Sequence, residues 1–93
     1  MFPQAGELFA DDDVRRESAA FNATLQIGYF IIGVRAAGLS AGPMSGFDAD
    51  AVSREFLPEG HRALCVMNIG WPAEHAWSGR LPRLRPEQVF TTV

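Results

Sequence analysis

The stretch Ile27-Gly28-Tyr29-Phe30-Ile31-Ile32-Gly33-Val34 carries no charge and sits at the centre of a proline-free run from Glu17 to Leu39. Good helix formers surround it, and Gly38 stands where helices commonly end, so the pattern predicts one long helix from about Glu17 to Leu39. As a helix, its centre is apolar on every side, which marks an element enclosed by neighbours rather than one lying on a surface. A chain of 93 residues buries only roughly two thirds of the surface its unfolded form exposes. It can hardly enclose such a helix alone, so a second chain, or more of the same protein, is expected to cover it. Ala19 to Leu39 also has about the length of a membrane span, but Asn22, Thr24, Gln26 and Arg35 interrupt it and basic anchors are weak at its ends. Burial at a subunit interface is the reading that survives. Gly28 and Gly33 would admit another backbone there, although packing within one domain is equally compatible with them.

The composition agrees with a globular chain that has much to hide: 47% of residues are hydrophobic and 11% aromatic. The net charge of -3 lacks the basic excess of a nucleic-acid binder. All eight basic residues are arginine, so any anion would be met by planar guanidinium forks. Cys65 stands alone inside the apolar run Ala63 to Met67, which excludes an intramolecular disulfide and suits a packed, reduced thiol. Met1 to Ala10 has neither the basic start nor the apolar stretch of a signal peptide, and a cytoplasmic protein is expected.

Along the chain, Met1 to Gly6 reads as an extended connector, and Asp11, Asp12 and Asp13 as a solvated helix start rather than a metal site. After the long helix, Ser40 to Phe47 reads as a loop of small residues around Pro43, with Asp48 as N-cap of a second helix, Ala49 to Phe56. That helix sets Val52 and Phe56 on one face and Asp50 and Arg54 on another. Leu57 to Gly60 ends it. Arg62 to Ile69 is expected as a central strand buried on both faces, closed by Gly70-Trp71-Pro72. An irregular extended segment to Pro86 and a short terminal strand over Gln88 to Val93 complete the expected elements. Nothing marks a second domain or a repeat.

The chemistry of common catalytic sites is missing. His61 and His75 match no zinc spacing, no serine has a nucleophile-elbow context, and no glycine-rich turn follows a strand as in nucleotide-binding folds. Cys65 lies in apolar surroundings that disfavour a thiolate. Two segments remain. In Gly42 to Gly46 the small residues can turn the N–H groups of Ser45 and Gly46 toward a flat ligand, an ordinary interhelical connection being the alternative. Arg80, Arg83 and Arg85 cluster in the tail, with Arg83 and Arg85 on one side of an extended chain; they suit a phosphate or carboxylate, or else form a solvated basic tail.

Four pieces in order, Ala36-Ala37-Gly38-Leu39, Gly42-Pro43-Met44-Ser45-Gly46-Phe47-Asp48, Asn68-Ile69-Gly70-Trp71-Pro72 and Arg80-Leu81-Pro82-Arg83-Leu84, resemble the C-terminal half of the FMN-dependent nitroreductase family. Within it the closest branch is that of malonic semialdehyde reductases, or 3-hydroxypropionate dehydrogenases. The resemblance implies an α+β fold, with residues 1–93 forming one partial domain. It also implies a homodimer holding FMN at the subunit interface, with the long helix at that interface. By the same resemblance Pro43, Met44, Ser45 and Gly46 lie along the isoalloxazine ring, a backbone N–H of Ser45 or Gly46 stands near its N5 and O4 edge, and Arg80 and Arg83 meet the FMN phosphate. The register leaves the part of Arg85 open. The family mechanism is ping-pong: NAD(P)H reduces FMN, and an aldehyde, quinone or nitro acceptor is then reduced. The flavin supplies the chemistry, in keeping with the lack of any acid, base or nucleophile constellation here. Family members are about twice this long, and their front half supplies further flavin contacts, so Met1 is expected to open a fragment or one part of a split protein. A non-catalytic remnant that keeps only a dimerisation helix, an interaction module, is the competing expectation.

Overall fold

A computed structural model describes residues 5–93, with the order α1 (Ala5–Leu8), α2 (Asp12–Ala36), β1 (Ser40–Met44), α3 (Ala49–Phe56), β2 (Val66–Gly70) and α4 (Pro86–Val89). The class is α+β, as expected. The expected extended connector is corrected at Ala5 and Gly6, which belong to α1; its first four residues lie outside the described ones.

The long helix forms, with ends fixed by local chemistry. The Asp11 carboxylate accepts from the N–H groups of Asp13 at 2.9 Å and Val14 at 3.1 Å, so α2 starts five residues before the expected Glu17. At the other end the Gly38 N–H donates to the Arg35 carbonyl and the Leu39 N–H to the Val34 carbonyl. This is a Schellman motif, which requires the left-handed φ of +85° that Gly38 adopts.

One flank of α2 packs on β1. Along α2, Ala23, Ile27 and Ile31 are half-buried, and Val34 is the one buried hydrophobic residue among those described. The other flank is bare. Phe21, Leu25, Tyr29 and Ile32 follow one another at helical spacing and keep 67%, 52%, 77% and 66% of their surface exposed. A Cβ built on Gly28 or Gly33 meets nothing within 4 Å, so no close approach to these glycines is made among the described residues.

The sheet has two strands, antiparallel, with Ser40 opposite Gly70, Gly42 opposite Asn68 and Met44 opposite Val66. Here the structure corrects three expectations. Ser40 to Met44 is strand rather than loop: among the described residues β1 is paired on one edge, and a proline is tolerated on an edge strand because the open edge needs no donor. The second strand is half-buried and starts at Val66 rather than Arg62, because its partner β1 ends at Met44 and leaves Arg62 to Cys65 nothing to pair with. Gln88 to Val93 is not a strand. Pro86 presets the first helical residue of α4, and the Gln88 side chain accepts from the Arg85 N–H at 2.9 Å. The second helix matches its expected bounds, with the Asp48 carboxylate accepting from the Ala51 N–H at 3.0 Å.

The chain is open. Its radius of gyration is 17.9 Å, whereas a compact domain of this length has about 12 Å. Its accessible surface is 8550 Å², where a compact monomer of this mass shows about 5,300 Å². The excess, roughly 3,200 Å², exceeds the ~800 Å² that one partner contributes to an interface of standard size. Among the described residues no helix is long and apolar enough to cross a membrane.

The Schellman turn gives a clean test of backbone geometry. A Cβ at Gly38 meets no atom within 4 Å, so Gly38→Ala carries only the left-handed backbone cost of about 1–2 kcal/mol. Urea unfolding is expected to show that loss, and a smaller one for Gly38→Asn.

Candidate functional site

The ladder brings two of the four sequence pieces side by side. Gly42 lies opposite Asn68, where an added Cβ would touch the Asn68 Cβ at 3.8 Å, and the Ser40 hydroxyl donates to the Gly70 carbonyl at 3.1 Å. The strand therefore holds Pro43 and Met44 in a fixed extended path, and the chain leaves it at Ser45 and Gly46 on the way to the Asp48 cap. Pro43, Met44, Ser45 and Gly46 are all exposed. Among the described residues nothing accepts a hydrogen bond from the N–H groups of Ser45 or Gly46. A Cβ at Gly46 would meet nothing within 4 Å. Free donors on bare main chain beside a flat strand end are the features a planar ring needs to lie against the backbone, so this segment fits the isoalloxazine of a flavin.

The tail arginines fall into two groups. Arg85 is engaged locally: its Nε pairs with the Glu87 carboxylate at 3.1 Å and its backbone N–H with Gln88. Arg83 donates from Nη1 to the Leu81 carbonyl at 2.8 Å and keeps its other guanidinium donors available. Arg80 makes neither an ion pair nor a side-chain hydrogen bond among the described residues. Both Arg80 and Arg83 are exposed and therefore fit an incoming anion. No hydrogen bond or ion pair joins them to Pro43–Gly46 among the described residues.

Two open clefts lie elsewhere. One, of about 390 Å³, is lined by Ile27 and Phe30 of α2, Val52 of α3, Leu57, and the chain from Arg62 to Cys65. Cys65 is half-buried in it, its thiol donating only to the Val66 carbonyl at 3.5 Å, as suits a packing residue. The other runs along Ser53, Arg54 and Leu57 to His61. Among the described residues no cluster of His, Cys, Asp and Glu could hold a metal ion.

One contact escaped the sequence reading. The Arg35 guanidinium lies 4.3 Å from the centre of the Trp77 ring. The two residues stand far apart in sequence and neither belongs to a patterned motif, so only the folded chain reveals the pair.

Fold and site together define an α+β chain that offers main-chain donors at a strand end and guanidinium groups on an irregular arm. The sequence profile described as the Nitroreductase family matches residues 4–71, and the chain belongs to that family. A relative from Streptomyces griseus subsp. griseus is 57% identical over 93 aligned residues, which take in 99% of this chain and 47% of the relative. A Streptomyces coelicolor relative is 44% identical, covering 95% of this chain and 45% of its own length. One from Ralstonia nicotianae is 40% identical, covering 95% and 47%. All three carry the provisional name NADH dehydrogenase/NAD(P)H nitroreductase. The chain spans about half the length of the curated relatives it matches.

Because the Gly46 Cβ position is empty, Gly46→Val is expected to leave the unfolding free energy within about 0.5 kcal/mol of the parent. Equilibrium denaturation checks this, and any effect of the variant on ligand binding is then a matter of access to the main chain.

Proposed function

We propose that this chain is the C-terminal half of an FMN-dependent NAD(P)H oxidoreductase that works as a cytoplasmic homodimer, its flavin lying between Pro43–Gly46 and the guanidinium groups of Arg80 and Arg83. The observation that carries the reading is the strand end: the unbonded N–H groups of Ser45 and Gly46 beside an empty Gly46 Cβ position, in a chain of the nitroreductase family. The names of the relatives support the activity and the nicotinamide donor.

The residues have separable tasks. The extended path of Pro43 and Met44 gives the ring a surface to lie on. The N–H of Ser45 or Gly46 donates to the ring edge, where negative charge develops on reduction, and so favours the charged reduced form. Arg80 and Arg83 hold the phosphate through charge-assisted hydrogen bonds. The flavin supplies hydride transfer from NAD(P)H to an acceptor. The acceptor we favour is malonic semialdehyde, on the likeness of the four sequence pieces to that branch, with quinones and nitro compounds as further acceptors.

The excess surface supports the assembly. Roughly 3,200 Å² is more than one partner contributes to a single standard interface, which supports a second copy on the outer flank of α2. A second reading, a non-catalytic dimerisation module, is favoured by one observation: among the described residues no hydrogen bond or ion pair links Arg80 or Arg83 to the strand end.

Flavin titrations followed by absorbance separate the two readings. FMN should bind more tightly than riboflavin, and Arg80→Ala should weaken FMN by the worth of one charged hydrogen bond, about 1.5–3 kcal/mol, while riboflavin binding stays unchanged. Gly46→Val should abolish binding of both. A protein that takes up neither would leave the interaction module as the surviving reading.

A further inference from the structure

Arg35 makes two contacts from the last turn of α2. Its Nη1 donates to the Leu39 carbonyl at 2.9 Å, across the Schellman turn, and its guanidinium carbon sits 4.3 Å from the centre of the Trp77 ring. Both ion pairs among the described residues belong to other arginines, Arg15 and Arg85, so the stack on Trp77 does not compete with a carboxylate. Leu39 immediately precedes β1, whose far end is the Pro43–Gly46 segment. Trp77 stands three residues before Arg80. One side chain therefore touches both the base of the strand and the arm.

The arm has little else to hold it. From Trp71 to Arg85 it contains neither helix nor ladder, and its hydrogen bonds are short-range: Ala76 N–H to the Ala73 carbonyl at 3.1 Å and Arg83 to Leu81. A segment with so few bonds opens easily, and its direction is set by the contacts it does make. Trp77 keeps 58% of its surface exposed, so the ring is not anchored by burial.

We propose that Arg35 is a positioning residue: by stacking on Trp77 it ties the arm to the C-terminal end of α2 and sets the direction in which Arg80 and Arg83 face relative to Gly42–Gly46. The tether follows from the contact geometry alone, and only its consequence for anion binding rests on the flavoprotein reading above.

Native-state trypsin digestion of the full polypeptide tests it. Trypsin cuts after Arg80 and Arg83, and not after Arg85, which Pro86 follows. Losing a cation–π contact at an exposed site raises the open population about two- to fivefold. Trp77→Leu should therefore speed cleavage after Arg80 and Arg83 by that factor and leave the rates after Arg54 and Arg62 unchanged. Arg35→Gln should do the same, and Trp77→Phe should restore most of the protection because it keeps a ring face. Unchanged arm cleavage in Trp77→Leu overturns the proposal. So does equal acceleration by the Phe and Leu variants, or acceleration at every site. The FMN titration run in parallel keeps the two readings apart. A parent protein that takes up no FMN sinks the flavoprotein reading while the cleavage pattern still decides the tether. A Trp77→Leu protein with a loosened arm and parental FMN affinity overturns the positioning role.

Discussion

The long helix α2 carries apolar side chains on two opposite flanks, and a chain this short has to find cover for both. One flank is partly covered, with Ala23, Ile27 and Ile31 half-buried and Val34 buried. The two strands of this chain offer nothing to the other flank, so Phe21, Leu25, Tyr29 and Ile32 face outward. At roughly 25 cal/mol per Å² of apolar surface, such a stripe carries a strong drive to associate. The openness of the chain, visible in its radius of gyration of 17.9 Å, follows from the same shortage of covering material.

The proposed site inherits this dependence. Its main-chain part is complete in one chain: the Schellman turn at Gly38 directs β1, the ladder with β2 straightens Ser40 to Met44, and the Asp48 cap starts α3. Backbone donors held between two such fixed points need little reorganisation to meet a ligand. The guanidinium part is different. Arg80 and Arg83 ride on an arm with no ladder of its own, linked to α2 by the stack of Arg35 on Trp77. The proposed site therefore joins a main-chain half held by two fixed points to a half carried on an irregular arm.

Much of the helical structure was legible in the residues. Asp11, Gly38 and Asp48 act through local hydrogen bonds and backbone preferences, which depend only on near neighbours in sequence, and the ends of α2 and α3 follow from them. The strands were harder to place. Whether Ser40 to Met44 is loop or strand depends on whether Val66 to Gly70 lies beside it, and Pro43 argued for a loop by a rule that does not bind an edge strand. Arg62 to Cys65 has the apolar pattern of a strand but lacks a partner within the chain. For the candidate site, the Gly42–Gly46 segment was visible because small residues and a proline signal exposed backbone. The Arg35 and Trp77 stack was not, since a contact between two unpatterned residues far apart leaves no periodic trace.

If a second copy of the protein covers the outer flank of α2, as proposed, sedimentation velocity on the parent and on Tyr29→Glu will show it. A dimer mass is expected for the parent and a monomer mass for the variant, since a carboxylate placed in that stripe would be buried without a partner. A monomeric parent, or a variant that stays fully dimeric, would contradict it.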